Sequence, residues 1–125
     1  MKSNNAILDE FGNLIVNEVF DNQYRFILNQ ISDLAQTEEY KNLFSGMQIE
    51  QKKEIELYTQ EILKGAIFDF LRIFEENSEY KIIYEENRQQ VDLNKISEML
   101  KAEPIIENGW IRRFSKELNT NFLSC

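Results

Sequence analysis

The sequence predicts a mainly α-helical protein that forms a single domain over residues 1–125. A chain of this length is one ordinary domain, and 42% hydrophobic residues with 12% aromatic residues is too apolar for a disordered chain. Apolar residues recur at spacings of three and four along most of the length, which is the period of amphipathic helices. The segment 48–77 contains no proline and one glycine. We therefore expect a helical bundle around a long central helix at about 48–77.

The first periodic segment covers residues 5–20, and a second apolar group follows at 24–34. The residues predicted to face inward are Ile7, Leu8, Phe11, Leu14, Ile15, Val19, Tyr24, Ile27, Leu28, Ile31 and Leu34. The residues from Phe20 to Gln23 include none that has to end a helix. One long helix over residues 6–35, bent near Asp21, and two helices joined there both fit this pattern.

A short helix is expected at 38–44, and Gly46 can end it in the left-handed conformation. The central helix at 48–77 follows. Its predicted apolar stripe consists of Ile55, Tyr58, Ile62, Ala66, Phe70 and Phe74, widened by Leu63, Ile67 and Leu71. Because the C-terminal half is apolar on most sides, we expect neighbouring helices to enclose the stretch from Ile62 to Phe74.

β-Branched and aromatic residues at 80–84 indicate a strand, and residues 89–93 can return beside it after a polar turn at 85–88. The sequence therefore predicts a small β-hairpin at 80–93. A bent helical loop is the alternative, since an isolated two-stranded hairpin is only marginally stable.

The remaining chain is predicted to form two short helices joined by a buried connection. Residues 95–101 are expected to turn Ile96, Met99 and Leu100 inward. Pro104 cannot continue a helix interior, and Ile105 and Ile106 are expected to be buried beyond it. A last helix should run from Trp110 to about Asn119.

The charge balance restricts the partners. Fourteen basic and 22 acidic residues give a net charge of −8 and a pI near 4.6. Such a molecule repels free nucleic acid and attracts a basic protein surface. The alternative is that the charge only confers solubility.

No membrane span or signal peptide is expected, because acidic residues interrupt the apolar residues near the start. Cys125 is the only cysteine, so no internal disulfide can form. A cytoplasmic location is therefore predicted.

The chain lacks the residues that several kinds of catalysis and of metal or phosphate binding require. The chain contains no histidine, no pair of cysteines and no glycine-rich phosphate loop. We therefore expect no catalytic residues, no cofactor and no metal, and hence no enzyme. Glu50, Glu54 and Glu61 share roughly one helical face, where a solvated acidic surface is favoured over a di-metal site.

One group of acids is a candidate partner-binding patch. Its members are Glu75, Glu76, Glu79, Glu85 and Glu86. If the hairpin forms, these acids surround one corner of the molecule and can dock a basic partner. The alternative is a solvated end of the domain. A small basic cluster of Arg112, Arg113 and Lys116 is expected to balance acidic surface within the fold or between protomers.

Three single residues are informative. Gly12 costs about 1 kcal/mol relative to alanine inside a helix, and it either permits close approach of the central helix or is a tolerated weakness. Asp69 lies in the most apolar part of the central helix, where it is expected to be buried in a salt bridge with Arg72, Arg112 or Arg113. The alternatives are a functional carboxylate and a side chain that points to water. Trp110 is expected to anchor the last helix in the core.

The order of elements resembles a group of small bacterial helical proteins with no established activity. The residues that carry the resemblance are Phe11, Gly12, Leu14, Ile15 and Asn17, then Asp69, Phe70 and Leu71, and finally Glu107 to Ile111 with Phe114, Ser115 and Lys116. The GWI..FSK ending is its most specific part. The resemblance implies fold and bacterial provenance only. In similar sequences a histidine often precedes the Phe-Leu pair, and Asp69 at this position argues against a histidine-dependent activity.

We therefore expect a small acidic, non-enzymatic protein-binding module of the kind found among immunity proteins and phage inhibitors. A homo-oligomeric structural or scaffold protein is the first alternative, and a spare apolar stripe on a terminal helix would favour it. A carboxylate-metal enzyme is the second alternative.

Overall fold

The computed structural model describes the backbone of residues 2–123 and the side chains of residues 2–119. The fold is mainly α-helical with one small two-stranded hairpin, which confirms the predicted class. The elements in chain order are α1 (Asn4–Ile15), a π-helical segment (Val16–Phe20), α2 (Asp21–Leu34), α3 (Lys41–Phe44), α4 (Ile49–Glu76), β1 (Ile83–Glu86), β2 (Gln89–Asp92), α5 (Leu93–Ile96), a 3₁₀ turn (Leu100–Ala102), α6 (Trp110–Phe114) and α7 (Lys116–Leu123).

The first two predicted segments form one continuous helix, in which the π-helical segment joins α1 to α2. Leu14 and Val19 were expected to face inward, but both are exposed, and Val16 and Phe20 are fully buried instead. A π-helical turn holds one residue more than an α-helical turn, so it shifts the inward face along the chain. The irregularity therefore lies directly before Asp21, where a bend was expected.

The central helix α4 agrees with its predicted bounds. Gln48 and Gln51 form a reciprocal capping box at its start, and Asn77 is the C-terminal cap. Its enclosure, however, was predicted wrongly. Ile67 and Leu71 are buried, whereas Ile62 and Phe70 are 52% and 55% exposed. The elements that pack on α4 bury this one face, whereas Ile62, Ala66 and Phe70 on the opposite side are exposed.

The core lies where α1, the π-helical segment and the second half of α4 meet the C-terminal elements. Its buried members are Ile7, Leu8, Val16, Phe20, Ile67, Leu71, Leu93, Leu100, Trp110 and Ile111. Trp110 is fully buried, which confirms its expected role, and it meets Phe11 edge to face at 5.7 Å. A Cβ atom on Gly12 would overlap the indole ring. Gly12 thus makes room for Trp110 and not for the central helix.

The hairpin is confirmed with shifted boundaries. β1 and β2 pair antiparallel from Ile83 opposite Asp92 to Glu86 opposite Gln89. Only Asn87 and Arg88 form the turn, with φ of +52° and +66°. A two-residue turn with both residues in the left-handed region matches the twist of paired strands, so the strands extend further toward the turn than predicted.

The region after the hairpin departs most from expectation. The helix predicted at 95–101 is replaced by α5 and the 3₁₀ turn, and Met99 is exposed. Ile105 and Ile106 are also exposed, whereas Pro104 is buried. Successive tight turns through this region, including bonds from the N–H groups of Ile105 and Ile106 to the carbonyl of Ala102, replace the expected extended connection.

The predicted last helix is divided at Ser115 into α6 and α7. Ser115 Oγ accepts a hydrogen bond from Leu118 N at 3.1 Å and donates one to Asp21 Oδ1 at 2.6 Å. Asp21 Oδ2 accepts from Lys116 N at 2.8 Å. The fully buried carboxylate of Asp21 therefore fixes the start of α7 against the first helix.

Candidate protein-binding surface

Acidic charge is concentrated at one end of the chain's fold, in residues 75–99. This stretch, which we call the acidic end, includes the last turn of α4, the hairpin and α5. It carries seven carboxylates and three basic side chains, a net charge of −4. Half of the net charge of −8 therefore lies in one fifth of the residues. All five of the predicted patch residues belong to the acidic end.

Three of the five predicted acids, Glu75, Glu76 and Glu86, are bonded within the fold. Glu75 is half-buried; one carboxylate oxygen lies 3.3 Å from Lys101 Nζ, and the other accepts from Lys101 N at 3.2 Å. This pairing attaches the 3₁₀ turn to α4. Glu76 is exposed and lies 3.0 Å from the guanidinium of Arg72 on the same helix.

Glu86 is also engaged. The Tyr84 hydroxyl donates to its carboxylate at 2.7 Å. This bond lowers the pKa of Glu86 and raises the pKa of Tyr84. Lys2 lies 5.4 Å from the centre of the Tyr84 ring and 2.8 Å from Glu10, which raises the pKa of Lys2. These contacts join the inner side of the hairpin to α1.

Glu79 and Glu85 remain available. Both are exposed, and within residues 2–119 neither forms an ion pair. Glu85 and Glu86 are adjacent in β1 and therefore point to opposite sides of the hairpin. The five acids thus lie on one end of the fold, but they do not form a single cluster of free carboxylates.

A cleft of about 580 Å³ lies between the end of α4, the following loop and α5. It is lined by Phe74, Glu75, Ser78, Tyr80, Lys81, Asp92, Asn94, Lys95, Ser97, Glu98 and Met99. Tyr80 is 65% exposed and Met99 is 51% exposed. Glu98 is exposed and has no ion-pair partner in the described part of the chain. The cleft therefore combines accessible apolar side chains with one free carboxylate, that of Glu98, and with the basic side chains of Lys81 and Lys95.

Asn94 supports the wall of this cleft. Its Nδ2 donates to the carbonyl of Phe74 at 2.8 Å, so it satisfies one of the free carbonyls at the end of α4. Its Oδ1 is buried without a hydrogen-bond partner among the described atoms. The side chain thereby connects α5 to the central helix.

Sequence reasoning missed three residues of this surface. Tyr80 was interpreted as the start of a strand, Met99 as an inward residue of a helix, and Glu98 was not singled out. Tyr80 and Met99 become exposed only because the chain turns tightly next to each of them. That turning depends on the hairpin and the 3₁₀ turn, which periodicity does not reveal.

The candidate metal ligands do not converge. Glu50, Glu54 and Glu61 are exposed on the first half of α4, and no group of three acids, cysteines or histidines in the described chain could hold a metal ion. Asp69 was expected to be buried, but it is exposed and lies 3.4 Å from Arg72. Its side of α4 is the side opposite Ile67 and Leu71, where Ile62 and Phe70 are also exposed.

The basic cluster is divided among different contacts. Arg113 bonds Asp9 at 2.9 Å and so joins α6 to α1. Arg112 and Lys116 are exposed. The described helices include none long and apolar enough to cross a membrane.

Comparison with known proteins gives no match: no family model fits the chain, and no curated protein or solved structure is significantly similar to it. The resemblance of the GWI..FSK ending to small bacterial helical proteins therefore stays a prediction.

Proposed function

We propose that this protein is a non-enzymatic binding module whose acidic end docks on a basic protein surface in the cytoplasm. The observation that carries the proposal is the cleft lined by the exposed Tyr80 and Met99 and by Glu98, together with Glu79, next to Tyr80 in the chain, and Glu85 in β1. These three acids are exposed and free of ion pairs in the described chain. Aromatic residues and methionine are enriched at the centre of protein interfaces, and charged residues surround them.

The expected mode of binding follows from these residue types. Tyr80 and Met99 supply the apolar area that is removed from water, and the three carboxylates direct the approach of a positively charged partner. A protein that normally binds nucleic acid has a positively charged surface of this kind. Carboxylates presented in place of phosphates would block it, which is how an immunity protein or a phage inhibitor acts in this proposal.

The test compares two variants with the same change in net charge. The first replaces the free acids of the acidic end: Glu79→Gln, Glu85→Gln and Glu98→Gln. The control replaces three exposed acids elsewhere: Glu18→Gln, Glu39→Gln and Glu107→Gln. Partners recovered by affinity capture with the wild-type protein are purified, and their affinities are measured by calorimetry at two salt concentrations.

We expect a partner with a basic surface whose affinity falls as salt rises. The acidic-end variant should bind at least about tenfold more weakly, since three charge-assisted contacts are lost. The control should change the affinity by less than about threefold. Equal loss in both variants, or an affinity independent of salt, would contradict the proposal.

A further inference from the structure

A row of largely exposed apolar side chains runs along the face of α4 opposite its buried residues Ile67 and Leu71. We call it the open row; it consists of Ile55, Tyr58, Ile62, Ala66, Phe70 and Ile73. Tyr58 is 66% exposed and Ile73 is 45% exposed, in addition to Ile62 and Phe70. Asp69 is the one charged side chain within this row, and it pairs with Arg72 at its edge. A row of this length that is otherwise apolar and largely exposed indicates an interaction surface.

The residue types of the open row occur in nearly the same order from either end. An isoleucine stands at each end, Ile55 and Ile73, and an aromatic residue stands inside each end, Tyr58 and Phe70. Ile62 and Ala66 occupy the centre. All three pairs have their midpoint at residue 64. An antiparallel second copy of α4 would therefore place like beside like, as a two-fold symmetric interface requires.

The charges on the edge of the row follow the same symmetry. Glu54 and Arg72 are eighteen residues apart, which is five helical turns, so they lie on the same edge of α4. In an antiparallel pair, Glu54 of each copy lies near Arg72 of the other. Arg72 already bonds Asp69 and Glu76 on its own helix, but its guanidinium has five N–H donors. This charge complementarity specifies a second copy of the chain.

The glycine beside the centre of the row has no role in the fold of one chain. Gly65 is exposed in mid-helix, and a Cβ atom there would meet nothing within 4 Å. A glycine at such a position destabilises the helix relative to alanine. Together with Ala66, it leaves space at the crossing point for the backbone of a second helix.

We propose that two copies of this chain pair antiparallel through the open row of α4. Helices that pack over five turns through these side chains bury on the order of 1,200 Å² in total, the lower end of the range for stable interfaces. A dimer of micromolar affinity is expected. The inference goes beyond the proposed function, because Glu79, Glu85 and Glu98 lie outside the open row.

Sedimentation over a range of protein concentrations tests the pairing. The wild-type protein should form dimers at tens of micromolar and dissociate on dilution. Ile62→Glu and Phe70→Glu should weaken the dimer at least about thirtyfold, since each buries an unpaired carboxylate in the apolar interface. Leu14→Glu alters an equally exposed apolar residue on α1 and should leave it unchanged. Circular dichroism verifies that each variant is folded.

A charge exchange tests the antiparallel register. Glu54→Arg and Arg72→Glu should each weaken the dimer about fivefold, and the double variant should recover to within about twofold of wild type. Cross-linking gives a second reading in a Cys125→Ser background. Oxidation should join two copies of the Ile62→Cys, Ala66→Cys double variant efficiently, and two copies of the Ile62→Cys single variant poorly.

A monomer at several hundred micromolar would overturn the proposal, and so would a dimer that survives both glutamate variants. Efficient cross-linking of the Ile62→Cys single variant would indicate parallel helices and overturn the register. Pairing and partner binding can fail separately, because the acidic-end variant should still dimerise and Phe70→Glu should still bind the partner.

Discussion

The two ends of α4 lie in very different surroundings. Its second half belongs to the region we call the body, which contains every member of the core cluster. Its first half packs mainly on α2, and Leu43 and Met47 lie beside Ile55 and Tyr58. In this second region, residues 25–60, which we call the arm, Phe44 is the only buried side chain among the described residues.

The two regions have similar helical patterns but different numbers of neighbours. In the body, α4 meets the first helix, the 3₁₀ turn and, through the core, α6, so large side chains are surrounded. In the arm, two helices face each other and each can cover only one stripe of the other. Amphipathic periodicity therefore indicates which residues are able to be buried, and the number of packed layers decides which of them are buried.

The largest expected difference between the body and the arm is in how much stability is lost when an aromatic side chain is removed. Trp110→Ala should lower the free energy of unfolding by about 3–5 kcal/mol, because it leaves a cavity in the body beside Gly12. Phe26→Ala in the arm should cost less than about 1 kcal/mol, since Phe26 is largely exposed. Urea unfolding measures both. Similar costs would show that the arm is packed as firmly as the body.

Two aspartates, Asp21 in the body and Asp33 in the arm, allow the two regions to be compared for polar side chains. Asp21→Asn should destabilise the protein by about 1–3 kcal/mol, because the amide cannot replace both hydrogen bonds of the buried carboxylate to Ser115 and Lys116. Asp33→Asn in the arm is the matched control. Asp33 is exposed, so a change below about 0.5 kcal/mol is expected. A cost for Asp33→Asn equal to that of Asp21→Asn would contradict this assignment.

The same contrast explains which parts of the fold the sequence could predict. The bounds of α4 and the burial of Trp110 depend on local patterns, and the sequence contains those patterns. Local patterns also allowed the single first helix and the hairpin, but they allowed two helices and a bent helical loop as well, so the structure decides between them. The exposure of Ile62, Phe70, Ile105 and Ile106 depends on which elements are absent from one side, and no local pattern records that absence.

The candidate surface was only partly predictable for a similar reason. The acidic stretch was evident from composition, but Glu75 is held by Lys101, which is 26 residues further along the chain. Glu86 is held by Tyr84 on the same side of β1, and this pairing depends on the hairpin. The burial of Asp21 could not be foreseen, because its partners are more than ninety residues away along the chain.

Hydrogen exchange should distinguish the part of α4 in the arm from the part of α4 in the body. Amides at 52–60, in the arm, should exchange at least about tenfold faster than amides at 66–72, in the body. Helical segments with few buried contacts open locally without global unfolding. Mass spectrometry of overlapping peptides measures this gradient. The rates must be compared at low concentration, since pairing along the open row would protect both segments, and uniform protection there would contradict the distinction.

The smallest expected effect concerns the hairpin, whose inner side is held by Lys2, Tyr84 and Glu86. The pKa of Glu86 lies below its usual value of 4.5, mainly because the Tyr84 hydroxyl donates to its carboxylate. A depressed carboxyl pKa gives stability that is present above the usual value and is lost as the pH falls through the folded-state value.

The hairpin should therefore loosen from α1 on acidification before the core unfolds. Chemical shifts of the Tyr84 ring and the neighbouring strand amides, measured by NMR between pH 6 and about pH 2, should report this change. Glu86→Gln should remove the transition, whereas Glu85→Gln, one residue earlier on the outer side of the same strand, should retain it. A transition that persists in Glu86→Gln would mean that another acid holds the hairpin, and Glu10 beside Lys2 would be the next to test.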